Sequence, residues 1–376
     1  MDTSNVDLNY HGDVAASRAR LDFAVNVLAT TPPSWLLDAL SHSPTDLGRY
    51  PSQDLYRSVK EKFATFHKVN PESIALLNGA SEAFTLLSHL IPGGTARLIH
   101  PSFTEPDAIL SATPGITVER HILPIDMPYH QAEIFSGDLT LFTNPTNPTG
   151  RLHNTQKLQE QAKNYEGIIV VDEAFMDISE HNECHAREQA SEECAIRTGQ
   201  ISSPSWAAKA AQENSNTLVL RSLTKTFSIA GIRLGYVIGD PKLIATLEAL
   251  RPAWPLGTIN LRALEAIAIH CLENPDYFCK IAKTIRENRA YLHQELRNIG
   301  WLPLESQAPY LLSTCPDPDI LSYLSKRHIS LRRCDTFPGL DSGYVRLAVR
   351  DKEQVNELME EIKTYVGLGT CSVAQW

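Results

Sequence analysis

The chain has 376 residues, a formal net charge of −10, and 43% hydrophobic against 21% charged residues. That length exceeds the usual single-core limit and predicts one large domain with a smaller second one, while the composition is that of a folded chain and not a disordered one. The acidic balance, with no Lys/Arg run, argues against a nucleic-acid partner and favours a small-molecule substrate.

The opening Met1-Asp2-Thr3-Ser4-Asn5 has neither a basic n-region nor an apolar h-region, and no run of about 18 apolar residues follows, so a cytoplasmic protein without membrane contact is expected. Asn78-Gly79-Ala80-Ser81-Glu82-Ala83 precedes an apolar helical run, so its backbone N–H groups form an anion site; equally, Ser81 could cap the helix. Short β-branched runs at 97–100, 139–143, 168–172, 217–221 and 234–238 alternate with helical patterns. They read as buried, mainly parallel strands of an α/β sandwich, whose crevice lies at the strands' carboxyl ends. Asn144–Gly150 is a double-proline turn after one strand, and Asp172 ends another. A buried carboxylate is costly without a cationic partner, although a helix cap is the alternative.

The polar stretch 179–216 includes a helical pattern over 205–213. It also holds His181, Cys184, His185 and Cys194, whose spacing matches no metal pattern, so solvated surface and no metal are expected. After Pro252-Ala253-Trp254-Pro255 come helical patterns over 261–272 and 276–296, short strands over 310–313 and 344–349, and a final helix over 353–365. Residues 31–264 are therefore expected to form the large domain, and 1–30 with 265–376 the small one. Seven scattered cysteines make no disulfide framework.

Ser222-Leu223-Thr224-Lys225-Thr226-Phe227, with Gly231, Arg233 and Gly235, has one economical chemical reading. A lysine at the carboxyl edge of a sheet can form an imine with an aldehyde; hydroxyls of Ser222 and Thr224 and the fork of Arg233 suit a phosphate; the glycines permit close backbone approach. This string resembles the attachment signature of the class I/II aminotransferases, the fold-type-I pyridoxal-phosphate enzymes. The resemblance extends over nearly the whole chain and implies a mainly parallel mixed sheet between helices with a smaller α+β domain.

It implies roles residue by residue. Lys225 carries pyridoxal 5′-phosphate, and Asp172 keeps the ring nitrogen protonated. Asn147 hydrogen-bonds the ring oxygen, and Phe103 stacks on the ring. Ala80, Ser81, Ser222, Thr224 and Arg233 hold the phosphate. Phe175 stands where many relatives carry a tyrosine that donates to the ring oxygen, a loss that should raise the imine pKa. Tyr50, in Arg49-Tyr50-Pro51, would reach across a homodimer interface to the neighbouring cofactor. Arg346 would hold the substrate carboxylate. For Asn147, Phe103 and Arg346, a plain turn, core packing and an exposed strand residue are the respective alternatives.

Tyr10-His11-Gly12-Asp13, Asp22-Phe23-Ala24-Val25-Asn26, Arg251–Pro255 and Arg332–Leu340 resemble the branch of histidinol-phosphate aminotransferases and threonine-phosphate decarboxylases. They make His11, Asn26, Arg332 and Arg346 the substrate-binding candidates, and His11, Arg18, Arg251 and Arg332 a source of cations for a phosphorylated substrate. The expectation is an L-amino-acid aminotransferase using a 2-oxo acid. An L-threonine-O-3-phosphate decarboxylase is the alternative, and a non-catalytic cofactor-binding module the remote one.

Overall fold

The structure, a computed structural model, describes residues 6–41, 43–125, 137–153, 155–179, 210 and 213–373. Its strands in chain order are β1 (Leu21–Asp22), β2 (Ile74–Leu77), β3 (Thr95–His100), β4 (Thr117–Ile122), β5 (Leu139–Thr143) and β6 (Ile168–Asp172), then β7 (Thr217–Ser222), β8 (Gly235–Gly239), β9 (Tyr310–Thr314), β10 (Ile329–Ser330), β11 (Arg332–Arg333) and β12 (Tyr344–Ala348). Seven of them form one sheet in the order β2-β8-β7-β6-β5-β3-β4. Only β8 runs antiparallel to its neighbours there. This is the mainly parallel mixed sheet that the resemblance implied.

The central strands are apolar on both faces because both faces are covered. Successive side chains point to opposite sides. Thus Leu76, Phe142, Val171, Val219 and Tyr236 pack in one core with helices Gln53–His67 and Thr258–Glu273. Their neighbours Leu77, Leu141, Val170, Leu218 and Val237 pack in a second, with helices Glu82–Ser88 and Pro241–Ala249.

A third core joins Leu21 and Phe23 to Leu292, Leu296, Leu311, Val345, Leu347 and Leu358. Around it lie the antiparallel sheet β11-β12-β9 and the parallel pair β1-β10, so the start of the chain is paired to its last third. The helix Thr258–Glu273 runs across position 264 and packs Leu264, Ile267 and Cys271 in the first core. Residues His181, Cys184, His185 and Cys194 lie outside the described residues, as does the 205–213 segment except at positions 210 and 213.

Beneath the carboxyl end of the sheet Arg221 is fully enclosed between two carboxylates. Its Nη1 donates to Glu173 Oε2 at 2.6 Å and its Nη2 to Asp177. Burial pushes the Asp177 carboxyl up, and Arg221 opposes that shift. Removing one member of a buried ion group leaves the others uncompensated. Arg221→Met is therefore expected to lower unfolding free energy by about 3–5 kcal/mol in urea titration of the protein. A loss below about 1 kcal/mol would mean that the cluster adds little beyond packing.

Candidate active site

The loops that follow β5, β6 and β7 converge on a cavity of about 490 Å³. That is within the usual size range for small-molecule sites. It is lined by Asn147, Asp172, Phe175, Ser222, Thr224 and Lys225 from these loops, and by Ala80, Ser81, Phe103 and Arg233 beside them. From the third-core region come His11, Asn26, Arg332 and Arg346. Of the cofactor-binding residues expected from the sequence, Tyr50 is absent from the lining: it is 76% exposed and stacked on Trp254 at 4.3 Å.

Lys225 is half-buried, and desolvation first, then the cations of Arg233 and Arg346, bring its amine down to about 8, against the opposing pull of Glu105 and Asp13. Asp172 moves the other way. Burial raises its carboxyl to about 7; the Ala174 N–H, donating to Oδ1 at 3.0 Å, opposes this, and Glu105 and Glu173 add to it. The helix-cap alternative fails, since the nearby turn Met176–Ile178 has Phe175 at its N-cap position. A carboxylate and an amine whose ordinary values have been drawn toward neutrality in one cleft mark a site of proton chemistry.

At one end Arg233 Nη2 donates to Ser81 Oγ at 2.8 Å, and Ser222 Oγ pairs with Thr224 Oγ1 at 2.8 Å. Ser81 makes no side-chain cap bond; Glu82 Oε2 instead accepts from the Asn78 N–H at 2.6 Å. Arg233 adopts φ +62°, a region long side chains rarely enter, and such strain gathers at functional sites. Its guanidinium lies over Gly79 (φ +80°), where an added Cβ would stand 2.8 Å from Nη2. Gly235 also has the close-approach role expected of it, with an added Cβ 2.7 Å from the Ala80 nitrogen and the Arg221 carbonyl. Gly231 does not: nothing lies within 4 Å of its would-be Cβ.

At the other end Arg346 is 5% exposed, which excludes the exposed-strand alternative. Its Nη1 donates to Asn147 Oδ1 at 2.8 Å and its Nη2 to the Ala24 carbonyl, while the buried Nε has no partner among the described residues. Asn26 is 5% exposed, and neither its amide oxygen nor its nitrogen has a partner among the described residues. Arg332 lies between the rings of Tyr10 (4.8 Å) and Phe337 (4.7 Å) and donates to the carbonyls of Tyr10 and Arg333. His11 tilts against Phe103, ring centroids 5.6 Å apart.

Two expected cations do not reach the cavity. Arg251 is taken up by Glu82 through two hydrogen bonds of 2.8 and 2.9 Å, and Arg18 is exposed on the surface. Phe175 packs edge-on against Tyr310 at 5.0 Å, and the Tyr310 hydroxyl donates to the Thr146 carbonyl. The cavity also holds residues given no role from the sequence, the acids Glu105 and Asp13, together with Thr143 and Phe337. Glu105 had one available signal: it stands two residues after Phe103 in the same turn.

Buried polar groups without partners are expensive, so Asn26 and Arg346 Nε mark where a polar ligand completes the structure. The donor set fits pyridoxal phosphate: a half-buried amine for its aldehyde, a buried carboxylate for its pyridine nitrogen, and the Ser81–Arg233 pair for its phosphate.

The family model "Aminotransferase class I and II" matches residues 19–362. A histidinol-phosphate aminotransferase of Mycobacterium tuberculosis is 36% identical over 350 residues, covering 91% of this chain and 86% of that protein. The threonine-phosphate decarboxylase of Salmonella typhimurium is 29% identical over 357 residues, covering 91% and 90%. The crystal structure of histidinol-phosphate aminotransferase from Sinorhizobium meliloti in complex with pyridoxal-5′-phosphate superposes with TM-score 0.76 at 15% identity, covering 97% of this chain and 99% of that one.

Proposed function

Because this chain belongs to the class I and II aminotransferase family and is a pyridoxal-phosphate enzyme, we propose that it is an aminotransferase for an L-amino acid or amino alcohol carrying a phosphate, such as histidinol phosphate. One observation carries the phosphate. Arg332 and Arg346 are register partners on β11 and β12, both buried; burial first, and then the Arg332 guanidinium, disfavours charge on Arg346. Burying two like charges side by side is costly unless an anion of matching charge joins them. His11 stands in the same cavity.

When bound through Lys225, pyridoxal phosphate supplies an electron sink for a bond broken at the substrate's Cα. Asp172 holds a proton on the ring nitrogen. Arg346, Asn26 and Arg332 fix the substrate's anionic groups. The Lys225 amine, brought close to neutrality, is suited to take the Cα proton and return it elsewhere. Which Cα bond lies in line for breaking is a matter of how the anions are held.

A second reading, decarboxylation of threonine phosphate, is favoured by the same pair of arginines, since that substrate carries both a carboxylate and a phosphate. Incubating the holoenzyme with histidinol phosphate and 2-oxoglutarate should release glutamate. With threonine phosphate, CO₂ release without glutamate would replace the first reading by the second, and silence with both compounds would remove the phosphate from the proposal.

We place the enzyme in the cytoplasm as a homodimer; no described helix is long and apolar enough to cross a membrane. The exposed Tyr50–Trp254 stack, with Leu47 and Leu250 also exposed, suits a partner surface. In that dimer Tyr50 would reach the neighbouring cofactor phosphate. The division into 31–264 and 1–30 plus 265–376 is likewise proposed for the two domains.

A further inference from the structure

We infer that Arg350, which does not line the cavity, is the residue that positions the substrate-anion pocket, by holding the main chain on either side of Asn26. Its Nε donates to the Asp22 carbonyl at 2.7 Å, its Nη1 to the Val27 carbonyl at 3.0 Å, and its Nη2 to the Val25 carbonyl at 2.6 Å. One planar fork thus ties three carbonyls within six residues, from the end of β1 into the loop after it. Lysine, with its compact ammonium on a flexible stem, cannot reproduce that geometry.

The loop is held from other sides too. The Asp22 carboxylate accepts from the N–H groups of Ala24 (2.7 Å) and Val25 (3.0 Å), and the Leu28 N–H donates to the Lys225 carbonyl at 3.3 Å. Arg346, four residues before Arg350, donates to the Ala24 carbonyl from within the cavity. The two arginines therefore grip one loop, Arg346 from the cavity and Arg350 from outside its lining. Between them lies Asn26, whose side-chain amide has no partner among the described residues. A side chain left unpaired in a buried cavity is useful only if its backbone is fixed, because a positional error of about 1 Å can cost on the order of a hundredfold in rate. Arg350 supplies that fixation and so sets the angle at which an anion beside Cα is held.

This inference rests on the reading that Arg346 and Asn26 bind the anion next to Cα. The test compares two ligands that differ only there: O-phospho-L-threonine and its decarboxylated amine, 1-aminopropan-2-yl phosphate. Each is titrated into the holoenzyme and followed by the visible absorbance of the cofactor, for the natural protein, Arg350→Lys and Arg350→Met. Affinity for the carboxylate-bearing compound is expected to fall about tenfold in both variants, with the amine changed less than about twofold. Hydrogen exchange of the 22–29 amides should rise in Arg350→Lys, the milder variant, while the rest of the chain stays protected.

An equal loss for both ligands, or none for either, would overturn the positioning role. If neither phosphorylated compound shifts the spectrum of the natural protein, it is the phosphate in the proposed substrate that fails. The pair L-glutamate and 4-aminobutyrate then tests Arg350 by the same comparison.

Discussion

Lys225→Ala is expected to leave a protein that still binds pyridoxal phosphate but no longer fixes it covalently. Borohydride reduction followed by mass spectrometry should find the cofactor adduct on the natural chain and none on the variant, and turnover should fall by on the order of 10⁴. The pH dependence follows from the same group. Burial and the neighbouring cations lower the Lys225 amine to about 8, so it is mostly protonated at pH 6 and mostly neutral, hence nucleophilic, at pH 9. The rate at which apoenzyme takes up cofactor should rise over that interval and then level. An ordinary lysine, titrating near 10.4, would keep the rate climbing beyond it. Survival of the reducible adduct in Lys225→Ala would sink the assignment outright.

The strands that were legible in the sequence are those covered on both faces. β5, β6 and β7 are continuous apolar runs, and their positions were read to within a residue. β2 and β4 escaped for opposite reasons. Ile74-Ala75-Leu76-Leu77 is short and rich in good helix formers, whereas Thr117–Ile122 is an edge strand, mostly exposed or half-exposed, that carries Glu119, Arg120 and His121.

The same division runs through the site. Asp172, Asn147 and Lys225 each stand in a local signature just past a strand end, so the chain order alone brings them to one edge. Glu105 reaches the cavity by tertiary folding, which no local pattern announces, and Asp13 and Phe337 stand in quoted segments that disclosed no role for them. Arg251 was misread because a count of cations does not disclose partners: its partner Glu82 is 169 residues away. Arg350 is the converse case, a plain strand-end arginine until folding brings it against carbonyls more than 300 residues earlier.

Asp172→Asn separates the electrostatic role of this carboxylate from its volume. Asparagine is nearly isosteric and keeps an oxygen to accept from the Ala174 N–H, so the turn after β6 and the covalent bond to Lys225 should both survive. What is lost is the negative charge. Burial holds the Asp172 carboxyl near 7, and the Lys225 amine, the smallest influence upon it, is not a full counter-charge. A protonated ring nitrogen supplies one, and the opposite charge draws the carboxyl back toward its ordinary range. The pair is then worth most where the ring must accept electrons, and a neutral amide gives that nitrogen no reason to keep its proton.

Removing one such preorganised electrostatic partner lowers kcat by on the order of 10²–10³. Asp172→Glu keeps the charge but moves it by one methylene, so it should retain more activity than the asparagine variant while falling below the natural enzyme. Single-turnover absorbance with saturating amino acid, on protein shown by reduction to carry the cofactor on Lys225, measures all three. Equal rates for asparagine and aspartate would assign Asp172 a packing role and return the electron-sink function to the cofactor alone.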